Sequence, residues 1–175
     1  MKKFIFALLI VTLLAITVTA YADDTFDLSA EQQQIAELGI PTVSSVSQLK
    51  TTADNLWNQK DYANAAPAYA NYAKQANWLA NIIASGLEPF YSGNSKNFSP
   101  SSITWNMLTS AEDKANSYKS ERNRAMVQEG LCYYYMNDYE MAMPLLIKAL
   151  DLVDIKDQKN WKLAMDALYS IVGYK

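Results

Sequence analysis

Tyr133-Tyr134-Tyr135-Met136-Asn137-Asp138-Tyr139-Glu140-Met141-Ala142-Met143-Pro144-Leu145-Leu146 aligns with an earlier stretch of the same chain. That stretch is Leu56-Trp57-Asn58-Gln59-Lys60-Asp61-Tyr62-Ala63-Asn64-Ala65-Ala66-Pro67-Ala68-Tyr69. Each has Asp-Tyr, then an Ala, then a Pro at the same spacing, and Tyr62 and Tyr139 stand 77 residues apart. The pattern is that of a helical hairpin. The Asp offers a side-chain oxygen to the free amides at the start of the second helix, the Tyr packs back on the first helix, and the Ala lets the two axes close. With 175 residues the chain has room for one ordinary core, so two such hairpins point to an all-α domain of antiparallel helix-turn-helix pairs.

Working outward, apolar residues recur at three- and four-residue spacing almost everywhere after residue 42. Val46, Leu49, Ala53, Leu56 and Trp57 predict a helix over 43–59, and an alanine-rich helix follows from Asp61 to about residue 84. Residues 86–99 carry Gly86, Pro89 and Gly93 without a sustained period and read as a loop of about 14 residues. Ser99 and Pro100 supply a cap and a first-turn proline for a helix over 100–118. Ser120 offers a new cap, so a separate helix is expected over 121–136, then others over 139–152 and 158–172. No alternating strand of useful length appears.

The Asp-Tyr hairpins resemble the tetratricopeptide repeat. In the second copy Gly130 and Tyr133 match the glycine and aromatic of the family's first helix, Ala142 and Ala149 its later alanines, and Leu146 replaces the usual Phe. Met126, Glu129 and Asp154 depart from the pattern, as do Ala53 and Leu56 in the first copy. Two repeats of about 34 residues fall nine short of the 77-residue spacing, and the long loop absorbs the difference. A degenerate repeat is expected between the copies. The resemblance implies a tetratricopeptide-like α-solenoid over 43–175, with the helix at Trp161 as its solvating C-terminal cap.

In that family the first helix of each pair lines a concave groove that receives a peptide. Carried over position by position, the resemblance puts Lys50, Asp54, Trp57 and Asn58 on the groove from the first copy. From the second it puts Arg124, Val127, Leu131, Tyr134 and Tyr135 there. Tyr and Trp give large contact area at low entropic cost, and Arg grips carboxylates or carbonyls with a rigid fork. Packing of helix pairs is the competing reading for Trp57, Tyr134 and Tyr135, and it is the reading for Tyr133.

The N-terminus reads as an address. Lys2 and Lys3 precede an apolar run over 4–18, and Ala20-Tyr21-Ala22 gives the small-x-small pattern of a signal-peptidase site. Cleavage makes 1–22 a signal peptide; an uncleaved anchor helix is the alternative. It leaves 13 basic against 18 acidic side chains, a net charge of −5, on a periplasmic or secreted protein with no membrane partner. Residues 23–42 then form a leader with one short helix, capped by a Ser29/Gln32 box and ended by Gly39 and Pro41. Its amphipathic stretch over 35–40 makes it a candidate occupant of the groove.

Composition removes most other functions. Histidine is absent, so the commonest general base and zinc ligand is missing. Cys132 is the single cysteine, set in an apolar helix as a small buried hydrophobe. Asp151, Asp154 and Asp157 lack the ligand spacing of a calcium loop and read as a solvated linker. No phosphate-cradling glycine loop is present, and no basic excess suggests nucleic acid. The sequence therefore predicts no catalytic residues, no metal and no cofactor. It predicts an exported module that binds a protein or peptide, with a self-assembling helical scaffold of the cell envelope as the alternative and an enzyme as the remotest.

Overall fold

The computed structural model describes residues 28–87 and 102–174. The signal-peptide reading, most of the long loop and the Ser99-Pro100 helix start lie outside the described residues. Among the described residues the chain is helical throughout, with no strand: α1 (Ser29–Leu38), α2 (Val43–Asn58), α3 (Tyr62–Ser85), α4 (Ile103–Tyr135), α5 (Tyr139–Leu152) and α6 (Gln158–Val172).

The duplicated sequence produces duplicated turns. After α2, Lys60 takes a left-handed φ of 60°, its amide donates to Trp57 O at 2.8 Å, and the Asp61 amide donates to Leu56 O at 3.0 Å. After α4, Asn137 takes the same φ of 60°, with Asn137 N to Tyr134 O at 3.0 Å and Asp138 N to Tyr133 O at 2.9 Å. These paired bonds tie off the free carbonyls of a helix end. Asp61 and Asp138 then cap the next helices, accepting from Asn64 N at 3.3 Å and Met141 N at 3.2 Å. The matched prolines, Pro67 and Pro144, both sit on exposed helix surface, where a kinked or missing backbone bond is solvated.

Two buried clusters form the interior. The first joins Val46 and Ala53 of α2, a run of α3 that includes Tyr69, Tyr72 and Ala76, and Tyr118, Ala125 and Cys132 of α4. The second joins Val127 and Leu131 of α4 to Ala142, Leu146 and Ala149 of α5 and Ala164 and Ala167 of α6. Trp57 and Tyr133 pack against both. Small residues set the spacing: a Cβ on Gly130 would meet Leu146 Cδ2 at 2.9 Å, so α4 and α5 touch backbone to side chain. Cys132 is fully buried, and burial pushes its thiol up to about 12.

Three expectations are corrected here. The helices expected over 100–118 and 121–136 are one continuous α4, with Ser120 exposed in its middle. A serine costs a helix interior only about half a kcal/mol relative to alanine, while the 24-residue α3 offers packing along its whole length. The degenerate repeat expected between the copies is not a separate unit among the described residues: its earlier stretch continues α3 to Ser85 and its later one is the near half of α4, a regular helix. Ser29 does not cap α1, because the helix already includes it and Leu28 holds the capping position without a side-chain bond. The capping box belongs to α2 instead, where Ser45 N donates to Thr42 Oγ1 at 3.0 Å and Thr42 N to Ser45 Oγ at 2.9 Å.

The two hairpin turns differ in how easily they hold a left-handed residue, since asparagine tolerates it and lysine does not. Lys60→Gly is therefore expected to stabilise the fold by about 1 kcal/mol, read as a higher urea midpoint with an unchanged slope. Asn137→Gly is expected to gain less.

Candidate functional site

Helix α3 packs on α2 along one side and on α4 along another, whereas α2 and α4 meet at most marginally. Tyr62 at the start of α3 stacks on Tyr135 at the end of α4, so those two helices are antiparallel. Helix α2 therefore runs alongside α4 in the same direction, with α3 beneath the gap. That gap is a trough. At its Trp57 end it holds a cavity of about 400 Å³, and towards Val43 a smaller hollow of about 210 Å³ that shares Lys50, Tyr72 and Glu121 with the first.

Each wall of the larger cavity is one helix face. Lys50, Asp54, Trp57 and Asn58 come from α2, and Glu121, Arg124, Ala125 and Gln128 from α4. Both sets follow the three- and four-residue spacing of a single stripe. Tyr69 and Tyr72 of α3 form the floor, and Asn160 of α6 closes one side.

The floor is joined to both walls by hydrogen bonds. Tyr69 OH donates to Asp54 Oδ1 at 2.8 Å, and Asp54 Oδ2 lies 2.6 Å from Lys50 Nζ. Tyr72 OH donates to Glu121 Oε2. Burial first, and these carboxylates second, push both phenols far above their ordinary range. Arg124 Nε donates to Asp157 Oδ2 at 2.6 Å, and Asn160 Nδ2 reaches the same carboxylate at 3.0 Å. Burial pushes the Asp157 carboxyl up, but the bonds from Arg124 and Asn160 outweigh it and hold the group below its ordinary value. Every ionic group of the lining thus already has a protein partner. Gln128 is different: its buried Oε1 has no hydrogen-bond partner, a condition that costs about 1–3 kcal/mol.

Of the residues assigned to the groove from the sequence, Lys50, Asp54, Trp57, Asn58 and Arg124 come together around this cavity. Val127 and Leu131 do not. They are 0% and 3% exposed and belong to the second core, because they lie on the side of α4 turned to α5 and α6. Tyr134 and Tyr135 lie beyond the cavity as an aromatic rim. Tyr134 OH donates to Ser170 Oγ at 2.9 Å, while Tyr135 stacks on Tyr62 at 5.0 Å and stands edge-on to Trp57 at 5.8 Å. Tyr69, Tyr72, Glu121, Ala125, Gln128 and Asn160 were not anticipated as lining. The readable signal for part of this set was the common stripe of Glu121, Arg124, Ala125 and Gln128.

The described part of the leader does not fill the trough. The end of α1 rests on another side of the α2/α3 pair, where Gln75 Nε2 donates to Leu38 O. Asp157, expected in a solvated linker, instead anchors α6 to α4. Among the described residues no group of three or more His, Cys, Asp or Glu is placed to hold a metal ion, and no helix is long and apolar enough to cross a membrane.

One titratable group near the site responds around neutrality. Burial pushes Glu129 of α4 from an ordinary 4.5 up to about 7, with Lys74 of α3 pulling the other way. Cys132 and Tyr133 are its other titratable neighbours. A raised carboxyl means that the folded state holds a proton which the unfolded chain has lost, so stability falls as pH rises from 4.5 towards 7. Glu129→Gln is expected to raise the melting temperature by a few degrees at about pH 8 and to change it little at about pH 4. Thermal melts across that range test the sign.

Compared with family models, with curated proteins and with solved structures, the chain finds no match in any of the three.

Proposed function

We propose that this chain is a tetratricopeptide-like interaction module, exported by its N-terminal signal, that holds a peptide segment of another protein along the trough between α2 and α4. The observation that carries the reading is the trough itself: an unfilled channel whose walls are the first helices of two hairpins with the same turn geometry. Its length follows from α2, whose 16 residues span about 24 Å, the reach of roughly seven residues of extended peptide.

The lining suits a partner better than a reaction. Aromatic carbon from the half-buried Trp57 gives apolar contact, and the exposed side-chain amide of Asn58 can both donate and accept along a peptide backbone. The export reading draws its support from Lys2, Lys3, the apolar run over 4–18 and Ala20-Tyr21-Ala22.

A photoreactive residue tests the trough directly. Placed at Asn58, on the cavity wall, it is expected to cross-link a partner from the source cell envelope or medium; placed at the exposed Ala63 of α3, outside the trough, it is expected not to. Equal cross-linking at both positions contradicts the assignment.

One observation favours the scaffold alternative. Beside the C-terminal part of α3, Ile103 and Met107 of α4 are exposed around a shallow, mostly apolar hollow with Ile83 and Ala111, and exposed apolar patches of this kind mark association sites. Light scattering that shows mass rising with concentration, and Met107→Lys abolishing the rise, supports self-association; a constant monomer mass removes it.

A further inference from the structure

A single cysteine, Cys132, rules out a disulfide within the chain. Tyrosine is plentiful instead, with 12 in the sequence, and the fold brings two that are distant in sequence into face contact. Tyr62 at the start of α3 and Tyr135 at the end of α4 stack with ring centroids 5.0 Å apart and planes inclined by 22°. Rings so placed are offset, the edge of each lying against the other. Tyr135 is 49% exposed and Tyr62 half-buried, so both meet solvent. Tyr69 and Tyr72, by contrast, are buried and bound to carboxylates.

Further rings surround the pair. Trp57 stands 5.4 Å from Tyr62 and 5.8 Å from Tyr135. Tyr134 stands 5.4 Å from Tyr135, and the exposed Tyr139 6.1 Å from Tyr134. An electron drawn from any of these rings leaves a hole that short hops carry to the stacked pair. A second exposed pair, Tyr169 and Tyr174, meets edge to face instead, with no third ring beside it among the described residues.

We propose that Tyr62 and Tyr135 are an oxidative cross-linking site, joined as an intramolecular dityrosine by hydrogen peroxide acting through a haem peroxidase. Each phenol loses one electron and its hydroxyl proton, giving two phenoxyl radicals. Their spin falls on oxygen and on the ring carbons ortho and para to it. The para carbon carries Cβ, so the new carbon–carbon bond forms between two ortho carbons. The ortho hydrogens then leave as protons while the oxygens take protons up, which restores both aromatic rings. The two electrons and two protons released overall reduce one peroxide to two molecules of water. The link ties the turn before α3 to the turn after α4, at the Trp57 end of the trough, and constrains the unfolded chain as a disulfide does. It needs no occupant in the trough.

The native chain is treated with hydrogen peroxide and a catalytic amount of haem peroxidase over a range of protein concentrations. The expected product is a monomer lighter by two hydrogens, with the blue fluorescence of dityrosine, in which tandem mass spectrometry places the bond between Tyr62 and Tyr135. Its yield is expected not to change with protein concentration, and the linked chain to melt at a higher temperature than the unlinked one. Tyr135→Phe keeps a ring in place and removes the phenol, so it is expected to keep the helical signal and lose this product.

Bonds that map to other pairs in place of this one, Tyr169 with Tyr174 included, overturn the inference, as do bonds between chains. So do a native chain left unlinked once the peroxide is consumed, and a linked chain that melts no higher than before. The mapping on the native chain needs no variant to fold.

Discussion

Helix α4 has to satisfy two cores at once, and the rest of the molecule is arranged around that demand. Ala115, Tyr118, Ala125 and Cys132 are buried among its residues, with the last three packed into the cluster shared with α2 and α3, while Val127 and Leu131 enter the cluster shared with α5 and α6. A helix buried on two sides cannot show a single apolar stripe. It solves the spacing with small residues: Ala125 and Gly130 let neighbours approach closely, and Leu146 fills the space that a Cβ on Gly130 would take. Such alanine-rich contacts bury little apolar area per residue and depend on dense packing instead.

The trough follows from the same arrangement. Because α3 is flanked by α2 on one side and α4 on the other, a channel is left over its middle. The floor there is tyrosine rather than leucine, and a buried phenol needs an acceptor. Asp54 on one wall and Glu121 on the other supply it. The packing requirement of Tyr69 and Tyr72 thus fixes carboxylates at the mouth of the channel, and Lys50 in turn answers Asp54. Across the far side, Arg124 and Asp157 fasten α6 to α4, so that Asn160 completes the rim. Structure and recognition draw on the same side chains.

Much of the local architecture was legible in the sequence. The stripes over 43–59 and 61–84 correspond to α2 and α3 within a residue at each end, and α5 and α6 fall at their expected bounds. The shared Asp-Tyr hairpin was legible too, since cap and turn chemistry act over a few residues. Ser120 misled because a capping residue is a weak signal against continuous packing, and that packing is long-range. Val127 and Leu131 were placed on the wrong face for a related reason: the sequence alone does not tell which of two apolar faces of α4 meets α3 and which meets α5. The side-chain partners of Tyr69 and Tyr72 lie 15 and 49 residues away, beyond the reach of any local pattern, and the unpaired oxygen of Gln128 exists only once α2, α3 and α4 are assembled.

The continuity of α4 is the claim on which both cores and the trough depend. Residue-resolved hydrogen exchange on the native chain measures it most directly. The amides around Ser120, roughly 117–124, should exchange as slowly as those one or two turns to either side, as one cooperative unit. Fast exchange confined to that stretch, with protected helix on both flanks, would mean two helices joined by a break, and would contradict the account.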